Sequence, residues 1–364
     1  MNDDTNAFLT PNQFTILLIS AMSGVGSMYI PNAVIKYANQ DGWISTILGS
    51  IYPLYMLLLA NYIYKKFPKD NILVLSKKYL GSFLGSILNF IFITFFIFVL
   101  TSEFSGLSNI VIVYVVPFLK EYQIFLASLI PVVYIVYKGI KPIGKLCEVL
   151  FYTSIILIFI LLGSLKYGNI LNLMPVFGSG IINIIKASKE TLFFYSGMET
   201  IFLIYPYFKD SDKFLKCGLA SIFFVIFIYA LSTFLAIYYL GPDVVSKFLW
   251  PVIQLSDSIN ISIINSFRYL FLSGFSLVIF RCLSIYYFSS SYGLSQLIKK
   301  VSLKKFSLIL YPVTICLSLL YGTPVMRREY SGKIIALYTT FNLVYISLIA
   351  ILISLKKGDN IEKK

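Results

Sequence analysis

The chain is organised in long apolar blocks, and that feature more than any other limits what it can fold into. The longest, Phe83 to Val116, runs 34 residues, or roughly 50 Å as a helix. A helix crosses the hydrocarbon core with roughly 20 apolar residues, so this block must tilt or project into water. In lipid every backbone N–H and C=O needs a partner within the protein, which leaves helices and closed barrels as the only spanning structures. Blocks this long are helices. Only 13% of the residues are charged, against 58% hydrophobic, too few charges to cover a soluble exterior. The sequence therefore reads as an all-α integral membrane protein with about ten transmembrane helices.

The first span reads Phe14 to Ile35, interrupted at Gly24-Val25-Gly26 and reaching Pro31. The second runs from Trp43 to Tyr64, with Pro53 inside it. An amphipathic stretch, Asn71 to Gly81, is expected along the membrane surface. The 34-residue block is the third span, Tyr122 to Tyr137 (short, with Pro131) the fourth, and Val149 to Leu165 the fifth. After a polar connection, Met174 to Gly180, a second surface helix is expected, ending at Lys189. The sixth span, Leu192 to Phe208, contains Gly197, Glu199 and Pro206. Cys217 to Leu240, Tyr269 to Tyr292, Phe306 to Tyr321 and Ile334 to Leu355 complete the set. All 364 residues are expected in one transmembrane domain, with one repeat over about 10–165 and a second over about 180–355. The prolines are expected to kink or end helices, and Trp43 and Trp250 to act as interfacial anchors, with Trp250-Pro251 also able to shape an outer lid.

A net charge of +14 could suggest nucleic acid, but the lysines sit in short loops between spans, where a topology signal belongs; no nucleic-acid partner is expected. With the N-terminus inside, the inner segments hold 19 Lys and Arg against ten in the outer ones, which places both termini in the cytoplasm. The start, Met1 to Thr10, carries Asp3 and Asp4 and no Lys or Arg, unlike a cleavable signal peptide. There is no histidine, which removes Ser-His-Asp and Cys-His nucleophiles, most zinc sites and histidine proton relays. No carboxylate cluster or phosphate loop offers a catalytic constellation, so an enzyme is disfavoured and no cofactor or metal is expected. Cys147, Cys217, Cys282 and Cys316 lack metal-ligand spacing and read as small apolar fillers.

Two interruptions correspond. Span one is broken at Ser23-Gly24-Val25-Gly26-Ser27 and span six at Tyr195-Ser196-Gly197-Met198-Glu199. If the chain is two groups of five spans, these are matching positions, and an odd number of spans makes the second group inverted. Glycine-broken helices at matching positions of inverted halves point to a ligand site near the midplane. A break frees backbone groups: N–H groups at the start of a half-helix suit a carboxylate, and freed carbonyls suit an ammonium group. Two facing breaks can therefore hold a zwitterion such as an amino acid. Read the other way, Gly-x-Gly marks close helix packing. Three ionisable residues lie within spans: Glu103, Glu199 and Arg281. Such groups face the interior, either as a polar path or gate or as a structural latch between helices.

These residues carry a resemblance. Along the chain come Gly24-Val25-Gly26 with Pro31, Asp41-Gly42-Trp43-Ile44-Ser45, Lys66-Phe67-Pro68, Tyr79-Leu80-Gly81, Pro175-Val176, Gly197-Met198-Glu199, Tyr205-Pro206 and Trp250-Pro251. In this order the chain resembles the B subunit of endospore germinant receptors, in the spore germination permease family of the amino acid–polyamine–organocation superfamily, from Thr10 to about Leu355. The resemblance implies a permease-like bundle of two inverted five-helix repeats with helices 1 and 6 broken. It implies a place in the spore inner membrane beside receptor A and C subunits, and a small amino acid-like germinant whose binding triggers germination. Carried onto this chain, the ligand-facing positions are Gly24, Gly26, Ser27, Tyr195, Ser196 and Gly197. Met198 stands where the family pattern leads us to expect an aromatic, which bears on pocket shape. A proton-coupled amino acid permease would need the same site and is the alternative function.

Overall fold

The computed structural model describes residues 8–259 and 266–355. Helix α1 (Pro11–Met22) starts at Thr10, whose hydroxyl accepts from the backbone of Gln13 while the Gln13 side chain accepts from Thr10, with proline at the first helical position, where a missing N–H does no harm. It stops at Ser23 and extended Gly24; a single 3₁₀ turn, Val25–Met28, leads to α2 (Ile30–Ala38), with Pro31 again in its first turn. These two pieces form span one. Span two is α3 (Gly42–Leu48) with α4 (Ile51–Lys66), and the short α5 (Ile72–Leu80) packs beside span three, α6 (Ser82–Tyr114). Spans four and five are α7 (Glu121–Tyr137) and α8 (Ile140–Ser154) continued by α9 (Ile156–Leu162).

The second half repeats the plan. Span six begins with α10 (Ile181–Leu192), passes through the turn Phe193–Tyr195, breaks at Ser196 and Gly197, and resumes through Met198–Thr200 and α11 (Ile201–Ile204). Span seven is α12 (Ser211–Leu240). The short α13 (Pro242–Val245) and α14 (Pro251–Leu255) then lead to span eight, α15 (Phe267–Leu297). Spans nine and ten are α16 (Leu303–Leu319) and α17 (Pro324–Leu355).

The packing has the symmetry that the broken helices suggested. Span three packs on eight, two on seven and four on nine. The unlike pairs also match: eight lies against five as three lies against ten, and eight against four as three against nine. Exchanging each span with the one five places on maps these neighbours onto one another. With five crossings in each half, the two repeats are inverted. The halves are stitched at backbone level too, where Leu9 N–H donates to Tyr207 C=O at 2.9 Å, joining the start of span one to the end of span six.

Two expectations change. The stretch before Lys189 is no separate surface helix: α10 and the turn after it run without interruption into the break, and α10 packs on α2 and α3. It looks amphipathic because Lys186 and Lys189 are exposed and Glu190 lines the cavity described below, while Ile184 and Ala187 are buried. The tenth span begins ten residues earlier than its apolar core, at Pro324, and carries Arg327, Arg328 and Glu329 in its first turns. The four lysines of 356–364, part of the charge count, lie outside the described residues.

The Asp41-Gly42-Trp43 segment earns its place structurally. Asp41 is fully buried and accepts from Phe177 N–H at 2.8 Å, Ser179 N–H at 3.0 Å and Ser179 Oγ at 2.7 Å. Gln40 donates to Pro175 C=O at 2.9 Å. The head of span two thus fixes the turn that leads into span six. A carboxylate that takes three hydrogen bonds is tolerated in burial because its acceptor sites are filled.

Candidate functional site at the two helix breaks

Breaking α1 frees the carbonyls of its last turn. Two tyrosine hydroxyls answer them, and each spans both breaks. Tyr286 of α15 donates to Ala21 C=O at 2.9 Å and lies 3.3 Å from Ser196 C=O. Tyr229 of α12 donates to Met22 C=O and lies 3.2 Å from Phe194 C=O. The freed N–H groups are met by carboxylates. Val25 N–H donates to Glu103 of α6, and Gly26 N–H faces the same carboxylate. In span six, Gly197 N–H donates to Glu199 at 2.7 Å. The position in which a ligand carboxylate was expected is therefore held, in span one, by the protein's own Glu103. The physical reason is the one that favoured a ligand there: open N–H groups at a half-helix start attract an anion.

Gly24 makes this approach possible, since a Cβ there would run into the Glu103 carboxyl group. Gly197 sits at φ +123°, and a Cβ on it would strike the Ala21 carbonyl and the Tyr286 hydroxyl. Only glycine combines that dihedral with so close a neighbour.

A cavity of about 740 Å³ lies where the breaks meet α6, α12, α15 and the head of α17. Of the residues expected to face ligand, Gly24, Gly26, Ser27 and Ser196 line it. Tyr195 and Gly197 stand behind the wall: Tyr195 is fully buried and donates to Thr46 C=O at 2.7 Å. The three ionisable residues part company. Glu103 lines the cavity. Glu199 is fully buried, accepting from Tyr52 Oη, from Gly197 N–H and from Asn342 Nδ2 at 3.4 Å, and so ties spans two, six and ten together. Arg281 lines a separate cavity of about 90 Å³.

The head of α17 adds residues that sequence reading left in a loop. Arg327 donates to Ser102 C=O at 2.9 Å and Ser102 Oγ at 3.3 Å; its Nε has no partner among the described residues, and it acts electrostatically on Glu103 without pairing with it. Arg328 lies 3.6 Å from the Tyr29 ring centroid and donates to Asn32 Oδ1 at 3.1 Å; a guanidinium stacked on an aromatic face makes a firm contact. Trp250 is buried and lines the same cavity, edge-on to Tyr114. The available signal was Pro324, a residue favoured at the first turn of a helix. No group of metal-ligating side chains occurs among the described residues.

A model of the family described as spore germination protein matches residues 8–326. Spore germination protein YndE of Bacillus subtilis (strain 168) is 28% identical over 296 residues, covering 80% of this chain and 82% of its own. Spore germination protein GerQB of Bacillus cereus is 24% identical over 288 residues, covering 79% and 80%. Among solved structures, MhsT, crystallised in complex with L-phenylalanine, superposes with a TM-score of 0.66 over 96% of this chain and 89% of its own, at 14% identity. That likeness is one of fold.

Proposed function

The chain belongs to the spore germination protein family, and from that premise we propose that it is the membrane subunit of a nutrient-germinant receptor that binds a small, amino acid-like germinant between its two broken helices. The observation that carries this reading is the convergence of both breaks, Glu103 and Arg327 on one cavity of about 740 Å³, a size that suits a small molecule. A zwitterion entering it meets Glu103, which can take an ammonium group, and Arg327, whose charge favours a carboxylate and whose Nε has no partner among the described residues. Binding would change which anion holds the N–H groups of Val25 and Gly26, and so bias the geometry of the break. A ligand shifts such an equilibrium only by its difference in affinity for the two arrangements.

On this reading the protein sits in the spore inner membrane with both termini in the cytoplasm and works beside receptor A and C subunits, which read the rearrangement. Its cavity then opens away from the cytoplasm, because Lys36 and Arg328, which line it, belong to the outer ends of their spans.

The test is germination of spores lacking the protein, challenged with a panel of amino acids and restored with the wild-type chain or Gly26→Val. A Cβ at Gly26 would meet the Phe194 ring, so the valine should abolish the restored response while the protein stays in the membrane. An unaltered dose response in Gly26→Val removes the site. Proton-driven amino acid uptake by vesicles holding this chain alone would replace the receptor with the permease.

A further inference from the structure

A buried guanidinium inside a membrane bundle needs a counter-charge or a full set of acceptors. Among the described residues Arg281, near the middle of α15, finds neither. It is 3% exposed. Its Nη2 donates to Ser154 Oγ of α8 at 3.2 Å, and its Nε and Nη1 have no hydrogen-bond partner among the described residues. It forms no ion pair among those residues, and the groups that act on it electrostatically are the thiols of Cys147 and Cys282. Its other close neighbour is the Phe151 ring, 5.3 Å from the guanidinium carbon. Glu103 and Glu199 are engaged elsewhere, at the first break and in the span-six latch.

Arg281 borders the smaller cavity, about 90 Å³ between spans one, five, seven and eight, which is room for an ion and accompanying water. The other polar side chains around it are the hydroxyls of Ser23, Ser27, Ser154, Ser232 and Tyr229; the rest of the lining is apolar. The hydroxyls of Ser27, Ser154, Ser232 and Tyr229 already donate to backbone carbonyls, so the unpaired donors of the guanidinium, set among apolar walls, are what calls for a small monovalent anion. Charge-assisted hydrogen bonds hold the ion, and the apolar rim excludes a larger, strongly hydrated one.

We propose that Arg281, positioned by Ser154, forms a binding site for a small monovalent anion, of the halide or short-carboxylate class, in the cavity beside span five. Ser27 and Tyr229 line both cavities, so an anion there braces the wall of the larger one. The site does not depend on the receptor reading.

The test uses the purified full-length protein in detergent. Its thermal unfolding midpoint is followed as sodium chloride, or in a second arm sodium acetate, replaces sodium gluconate at constant ionic strength. Binding to the folded state raises the midpoint saturably. Loss of a hydrogen bond to a charged group weakens the apparent chloride or acetate affinity roughly tenfold or more in Arg281→Gln, and several-fold in Ser154→Ala. Saturation with acetate but not chloride assigns the site to carboxylates, and the reverse assigns it to halides. A wild-type midpoint indifferent to both anions overturns the proposal. So does an anion response that is retained unchanged in Arg281→Gln, or, should that variant not fold, in Ser154→Ala.

Discussion

The two helix breaks occupy equivalent positions in the inverted halves, yet they are stabilised differently. In span six the carboxylate that meets the freed N–H is Glu199, two residues from Gly197 in the same chain segment, and it is sealed by Tyr52 and Asn342. In span one the carboxylate comes from another helix, Glu103 of α6, and it faces the larger cavity. The first arrangement is a local latch with its acceptors filled. The second is a contact between two spans at the wall of the cavity. Matching sequence positions therefore do not make matching sites: on the proposed function, the break whose cap can be competed for is the sensing element, and the one whose cap is local and enclosed is a fixed joint.

Four substitutions would break or sharpen this contrast. Gly197→Ala should have the largest effect, because the added Cβ meets the Ala21 backbone carbonyl and the dihedral is one that side chains rarely adopt. We expect destabilisation of about 3 kcal/mol or more, read as loss of the protein from membranes. Glu199→Gln comes next. Both carboxylate oxygens are in use, and an amide offers only one acceptor to three donors. A loss of about 1–3 kcal/mol follows, measured as a lower unfolding midpoint.

Gly24→Ala should cost less, about 1 kcal/mol, because the atoms its Cβ would meet belong to the movable Glu103 side chain. The protein should accumulate normally while its germinant dose response shifts. If Gly24→Ala instead abolishes folding as Gly197→Ala does, the two breaks are equivalent joints and the contrast fails. Glu103→Gln should be the mildest for stability, within about 1 kcal/mol, since the amide oxygen can still accept from Val25 N–H. Germination should nevertheless be impaired at normal protein level. A silent Glu103→Gln would place Glu103 with Glu199 as a latch.

Much of the architecture was legible because the bilayer imposes one-dimensional rules. Span length, glycine interruption and an odd number of spans per half can all be read along the chain, and the all-α bundle with helices 1 and 6 broken follows from them. Where the reading went astray, polarity was the cause. The head of α17 carries Arg327 and Arg328, and α10 carries Lys186, Lys189 and Glu190; both looked like material outside the membrane because charge was taken to mean solvent. They are helical and continuous with their spans: Glu190, Arg327 and Arg328 line the larger cavity, while Lys186 and Lys189 are exposed.

The sequence by itself determined that this chain is a polytopic helical membrane protein, where its helices are interrupted, and which ionisable groups must be sheltered from lipid, since backbone satisfaction and the penalty on charge in hydrocarbon act residue by residue. Only the tertiary structure decided what meets each interruption. It brought Glu103 to Val25 across 78 positions, Tyr286 to Ala21 across 265, and Arg281 to Ser154 across 127. Those pairings depend on the tilt and rotation of packed helices, which side-chain packing between spans sets and which no periodicity along a single span records.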